Sequence, residues 1–218
     1  MGREDWVSCL LNYLDSNHRS NFCLGGRLET YWTSDLHWHH ARIQEFTGRP
    51  WNVEDQTEAL INIWNAQVKP GDTVYHLGDF CFGLNKAEAI PKIVKRLNGN
   101  IGFILGNHDT RAHYEQLKEM FGGRVLFVED FKRIRVSKKE ITLCHYPLVV
   151  WENSHHGKWS LHGHCHGSYE HPGRSLDVGL DNAIKVLGGY RLFTFDDLNN
   201  YFRDREPWMP DHHNVRTT

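Results

Sequence analysis

The sequence predicts an α/β domain, and three observations carry that prediction. Short β-type runs alternate with segments of helical periodicity. Polar residues, many of them histidine, stand at the carboxyl ends of those runs. The chain has 218 residues, enough for one substantial domain. The later β-type runs follow one another without long helices, so a mixed sheet or two packed sheets are expected.

In chain order, residues 1–26 read as a peripheral N-terminal extension closing on the turn signal Gly25-Gly26. The domain is expected over 27–205, with a loose tail over 206–218 that holds two prolines. LETYWTSD is a first strand ending at Asp35. Over 54–68, Leu60, Ile63, Trp64 and Val68 share a helical face. TVYHLGD follows the turn Lys69-Pro70-Gly71-Asp72 and ends at Asp79. Over 85–97, Ile90, Ile93, Val94 and Leu97 line a second helix, with Asn85 as N-cap. Pro91 fits poorly inside it and marks either its start or a kink. IGFIL leads into Asn107 and His108, and a third helix spans 110–120. ITLCH ends at His145, KWSLHGH ends at His164, and a strand YRLFTF precedes a short helix DDLNNYF.

Composition narrows the class. Hydrophobic residues make up 39% and charged residues 24%, as in soluble globular proteins. The formal net charge of -2 gives no global basic field of the kind that nonspecific DNA binders carry. No run approaches the ~20 apolar residues of a membrane span. The N-terminal apolar run is short, interrupted and preceded by acids, unlike a signal peptide. Five cysteines without a CxxC point to buried thiols in a reducing cytoplasm, not to disulfides or a four-cysteine zinc site. Histidine is the anomaly: 16 are present.

The histidines fall in an ordered series with carboxylates and an amide. It runs Asp35-Leu36-His37, Gly78-Asp79, Gly106-Asn107-His108-Asp109, His145, then Gly163-His164-Cys165-His166. In an extended segment, residues i and i+2 point to one side, so Asp35 with His37 and His164 with His166 can address one centre. If the backbone turns at Gly163 or Gly167, His164 and His166 address two adjacent centres instead. Glycine beside a ligand lets the backbone approach an ion. Carboxylate, amide and imidazole together suit Mn, Fe, Zn or Ni. Leaving His108 and Asp109 aside, the donors exceed the needs of one ion and fit two that share a carboxylate.

This series resembles the calcineurin-like metallophosphoesterase superfamily, over Thr33 to Gly167. LGDFCFG, SDLHWHH and HHGKWSLHGHCHG look like its small phage-type or bacterial phosphoesterases. The resemblance implies a four-layer αββα sandwich of two mixed β-sheets flanked by helices. It implies that Asp35, His37 and His166 hold one divalent ion, that Asn107, His145 and His164 hold a second, and that Asp79 bridges them. It places His108 beside the substrate, with Asp109 orienting it. Many relatives carry Asp or Asn where this chain has Phe82, which bears on substrate preference.

Two ions about 3.5–4 Å apart supply a hydroxide near neutral pH and clamp phosphoryl oxygens. His108 is then the candidate acid for the leaving alkoxide, and His40 and His156 are candidate substrate contacts. Cys165, Trp151 and Trp159 read as packing, and Asp177 and Asp181 as turn or supporting residues. The expected function is hydrolysis of a small or nucleotide-like phosphoester. A nuclease is the alternative within the enzyme class, and an inactive or structural-metal interaction module of the same fold is the alternative outside it. The filled ligand positions weigh against the module, and the neutral charge and short chain weigh against the nuclease.

Overall fold

The structure, a computed structural model, describes residues 27–210. The N-terminal extension and the end of the tail lie outside the described residues. The order is β1 (Thr30–Thr33), α1 (Ile43–Thr47), α2 (Val53–Gln67), β2 (Thr73–Leu77), α3 (Lys86–Arg96), β3 (Asn100–Ile104) and α4 (Arg111–Phe121). Then come β4 (Val125–Glu129), β5 (Phe131–Val136), β6 (Lys139–Cys144), β7 (Trp159–His162), β8 (Ser175–Asp177), α5 (Leu180–Leu187), β9 (Phe193–Thr194) and α6 (Phe195–Phe202).

Among the described residues, nine strands form two mixed sheets flanked by helices, an α/β fold. The first sheet has the order β4-β3-β2-β1-β9 and is parallel except for β9. The second has the order β5-β6-β7-β8 and is parallel except for β5. Alternation along the strands builds two cores. On one face of the first sheet, Val74, Ile101 and Phe103 pack beneath Leu60, Ile63 and Trp64 of α2, Ile90, Ile93 and Val94 of α3, and Leu117 of α4. On its other face, Trp32, Leu77 and Ile104 join Ile141, Leu143, Leu161 and Leu176 of the second sheet. Helices α5 and α6 add Ala183, Leu198 and Phe202 to that inter-sheet core. Each fully buried large aliphatic or aromatic side chain contributes about 1.5–3 kcal/mol.

The helical faces read from the sequence are the buried ones, and the differences lie at element ends. Asn85 stands at the N-cap of α3 but makes no side-chain capping bond. Pro91 sits inside α3 and does not start it. Helix α2 is capped by Asn52, whose side chain accepts from the Asp55 N–H at 2.8 Å. The expected strand YRLFTF shrinks to Phe193–Thr194, because Thr194 is drawn into a capping box with Asp197 that starts α6. No helix among the described residues is long and apolar enough to cross a membrane. Parallel strands β1, β2, β3, β6 and β7 send the loops after them to the same place, which positions the site.

Candidate metal centre

The ligand loops begin where the regular ladders stop. After β1 and β2 the two chains stay paired loosely, through Asp35 N–H to Gly78 O and His37 N–H to Asp79 O, both at 3.0 Å. Asp35, His37, Asp79, His164 and His166 all have left-handed backbones, with φ between 47° and 70°. Such residues cost of order 1 kcal/mol or more each and persist only when their surroundings hold them. The extended geometry expected for Asp35–His37 and for His164–His166 is therefore absent. Convergence comes from tight turns, with Cys165 N–H closing on Gly163 O at 2.8 Å. Glycine is needed for close approach at two of these turns. A Cβ at Gly106 would collide with the Asp79 carboxylate, and one at Gly163 with Ser34 and the Asp35 carboxylate.

All seven sequence-predicted ligands are tied together by short distances between side-chain donors. His37 Nε2 lies 3.8 Å from Asp35 Oδ1 and 3.7 Å from Asp79 Oδ2. His166 Nε2 lies 3.9 Å from Asp35 Oδ1, and His145 Nε2 lies 3.6 Å from Asp79 Oδ2. Asn107 Oδ1 is 3.0 Å from both His145 Nε2 and His164 Nδ1. His164 thus joins through Asn107, and its own backbone N–H donates to Asp35 Oδ2 at 2.9 Å. Asp35, His37 and His166, and separately Asp35, Asp79 and His145, could each hold an ion.

The buried chemistry fits a cation. Asp35 Oδ1 and His37 Nε2 are buried without a hydrogen-bond partner, which is costly for a carboxylate. Burial, with Asp177 nearby, pushes the Asp35 carboxyl up to about 8. Burial, with His166 and Arg49 next in weight, drives the His37 imidazole far below its usual value, so it is a neutral donor. A divalent cation among these groups reverses the bias against the carboxylate and uses the imidazole lone pair. His145 Nδ1 lies 2.8 Å from the Leu77 carbonyl, to which it donates, so its Nε2 lone pair is left for the centre.

Two expectations change. Asp109 does not orient His108: its Oδ2 accepts from Asp79 N–H at 2.8 Å and Gly106 N–H at 2.9 Å. Its Oδ1 accepts from the Tyr114 hydroxyl at 2.5 Å and from Phe80 N–H at 3.3 Å. Asp109 is a staple between two ligand loops, since its two oxygens are taken by these four donors. His156 is exposed, in the turn before β7, with its ring 4.0 Å from that of His155. It sits at the amino end of β7 while the ligands follow the carboxyl end, so the structure does not bring it to the centre. His40 does reach the rim: its ring is 5.7 Å from His37 and stacked at 4.1 Å on Phe82. His108 is exposed beside them, its ring 5.8 Å from His37 and 5.0 Å from Phe82. Phe82 therefore replaces a polar group with a brace between two histidines.

Sequence reasoning passed over Arg49 and gave Asp181 no specific role. Asp181 Oδ2 lies 2.6 Å from His166 Nδ1, and Arg49 forks onto the same carboxylate at 2.7 and 2.8 Å. Burial works against the Asp181 charge, but hydrogen bonds from His166 and Arg49 outweigh it and hold the carboxyl below its usual range. Arg49 and Asp181 are 132 residues apart, and neither lies in a motif.

The family model described as calcineurin-like phosphoesterase matches residues 29–216. An uncharacterised protein of Methanocaldococcus jannaschii is 35% identical over 140 residues, 64% of this chain and 70% of that protein. The gene 66 protein of Mycobacterium phage L5 is 28% identical over 204 residues, 81% of this chain and 97% of that one. Among solved structures, a protein of unknown function from Aquifex aeolicus shares the fold, with a TM-score of 0.57 and 21% identity over 81% of this chain and 100% of that chain. The chain belongs to the calcineurin-like phosphoesterase family. It is a metal-dependent phosphoesterase.

Proposed function

We propose that this protein hydrolyses small or nucleotide-like phosphoesters with two divalent ions. Asp35, His37 and His166 would hold one, Asn107, His145 and His164 would hold the other, and Asp79 would be shared between the two sets. The observation that carries this reading is the pair of buried, unpartnered atoms, Asp35 Oδ1 and His37 Nε2, aimed at the other donors. When bound, such ions lower the pKa of water and offset charge on phosphoryl oxygens. Mn, Fe, Zn or Ni suits these donors.

The chain's own groups do the rest. Asp79 Oδ1 accepts from the His108 backbone N–H at 2.9 Å, so the carboxylate facing His145 also fixes the loop that carries His108. The exposed His108 ring, at the lip of the centre, delivers a proton to the departing alkoxide oxygen. His40 and Phe82 wall that side. The net charge of -2 favours small substrates over nucleic acid. The free thiols of Cys81, Cys144 and Cys165 support a cytoplasmic location.

The test is hydrolysis of bis-p-nitrophenyl phosphate and p-nitrophenyl phosphate by metal-stripped protein, with Mn, Ni, Zn, Mg or no metal restored. Turnover should appear only with metal, and the diester-to-monoester ratio sets the substrate class. No turnover with any metal in protein that binds two ions would favour the interaction module.

A further inference from the structure

Two halves of the centre are supported by different chemistry. Arg49 is wholly buried, its side chain 0% exposed, and Asp181 is 6% exposed. Besides the fork onto Asp181, Arg49 donates from Nη1 to the Leu36 carbonyl at 2.8 Å and from Nη2 to the Asp35 carbonyl at 2.6 Å. One guanidinium thus holds the loop that carries Asp35 and His37 and, through Asp181, the ring of His166. The His37 carbonyl is held as well, by Gln56 Nε2 at 3.1 Å. Buried groups thus hold the backbone of Asp35 and His37 and the ring of His166.

The other position has no carboxylate behind its histidine rings among the described residues; the carboxylates nearby hold only backbone, Asp109 the Gly106 N–H at 2.9 Å and Asp35 the His164 N–H at 2.9 Å. His145 leans on the neutral Leu77 carbonyl. Asn107 and His164 are exposed, and Asn107 Oδ1 lies 3.0 Å from both His164 Nδ1 and His145 Nε2. A buried ion pair is weak support for stability, since an apolar pair of the same shape often does as well. A carboxylate on the far nitrogen of a ligating histidine, by contrast, fixes the ring and raises its basicity, and its loss costs about 10–100-fold in metal affinity. The planar guanidinium fork lets Arg49 bind one carboxylate and two carbonyls at once.

We infer that Arg49 and Asp181 are positioning residues that make the Asp35/His37/His166 position the tighter of the two, so that ions load there first and at Asn107/His145/His164 second. The free ion concentration then sets the fraction of doubly loaded, active protein. This rests on the two-ion reading above. Its test does not depend on turnover.

Metal-stripped protein is titrated with Mn²⁺, and free ion is counted by electron paramagnetic resonance. Wild type should show two classes of site at least about 10-fold apart, in line with the weight of such a carboxylate. Asn107→Ala should abolish the weak class and keep the tight one. Asp181→Asn should weaken the tight class by about 10–100-fold and leave the weak class nearly unchanged. A general folding defect would lower both classes together. Arg49→Lys repeats the Asp181 arm if circular dichroism shows Asp181→Asn unfolded. Two equal classes in wild type, loss of the tight class in Asn107→Ala, or equal weakening of both classes in Asp181→Asn would overturn the inference. Ordered binding without hydrolysis of any ester would sink the hydrolase reading alone, and hydrolysis with two equal classes would sink this one alone.

Discussion

The helix-covered face of the first sheet and the ligand loops at its carboxyl end are built on opposite rules. The covered face is regular: Leu60, Ile63, Trp64, Ile90, Ile93 and Val94 repeat at helical spacing, are buried, and meet apolar strand residues. The loop end violates most rules of a stable interior. It holds Asp35, His37, His39, Asp79, His164 and His166 in left-handed backbone, and buried donors without partners. The difference teaches that the sheet and its helices supply the free energy of folding, while the loops hold an arrangement that is unfavourable until a cation completes it.

The largest break in that contrast is Asp79→Ala. Loss of the carboxylate shared by both halves should lower metal-dependent hydrolysis by at least about 10³-fold, several kcal/mol of transition-state stabilisation, with little change in the secondary structure seen by circular dichroism. On the covered face the pattern reverses. Trp64→Ala should cost about 3–5 kcal/mol of stability, read by urea unfolding. The fraction that stays folded should keep its turnover per molecule. His108→Ala separates proton delivery from metal binding. Esters of aliphatic alcohols should lose about 10²–10⁴-fold in kcat, whereas p-nitrophenyl esters, whose leaving group needs no proton, should lose far less.

Smaller effects sharpen the contrast. In metal-stripped protein, Asp35→Asn should raise the unfolding free energy by about 1–3 kcal/mol, because it removes a buried carboxylate whose Oδ1 has no partner. With metal restored, the same variant should melt below wild type. A drop in the stripped form would mean that the loop end is not held against its own charges. The smallest effect lies far from the centre. Thr194→Ala should cost about 1 kcal/mol through the capping box of α6 and leave metal binding alone. Burial works against the Asp197 charge, but Arg191 and Thr194 hold its carboxyl below the ordinary 3.8. A carboxyl whose folded pKa is depressed stabilises the fold above its unfolded value. That contribution is present above about pH 4 and is lost as pH falls through the folded value. Wild type and Thr194→Ala should therefore converge in stability on acidification.

The same contrast explains what was legible in the sequence. Apolar periodicity is local, so the faces of α2 and α3 could be read at sight. The ligands could be read because each motif pairs a donor with a glycine or an adjacent donor within a few residues, as in Gly78-Asp79 and Gly163-His164-Cys165-His166. Their backbone could not: nothing local says that His164 and His166 turn left-handed when an extended segment would place them as well. Arg49 and Asp181 were illegible for another reason, since their partnership exists only once α5 is folded against the loop before α2. Asp109 misled because adjacency to His108 in sequence suggested contact, whereas its oxygens turn inward to Tyr114 and two ligand-loop amides. His156 misled because nearness along the chain to the H-x-H motif conceals the length of β7 between them.

The most direct measurement is an anomalous difference map from crystals grown with Mn²⁺. Two peaks should lie on either side of the Asp79 carboxylate, one against Asp35, His37 and His166 and one against Asn107, His145 and His164. A single peak, or none at these donors in crystals of protein that turns over phosphoesters, would contradict the two-ion centre.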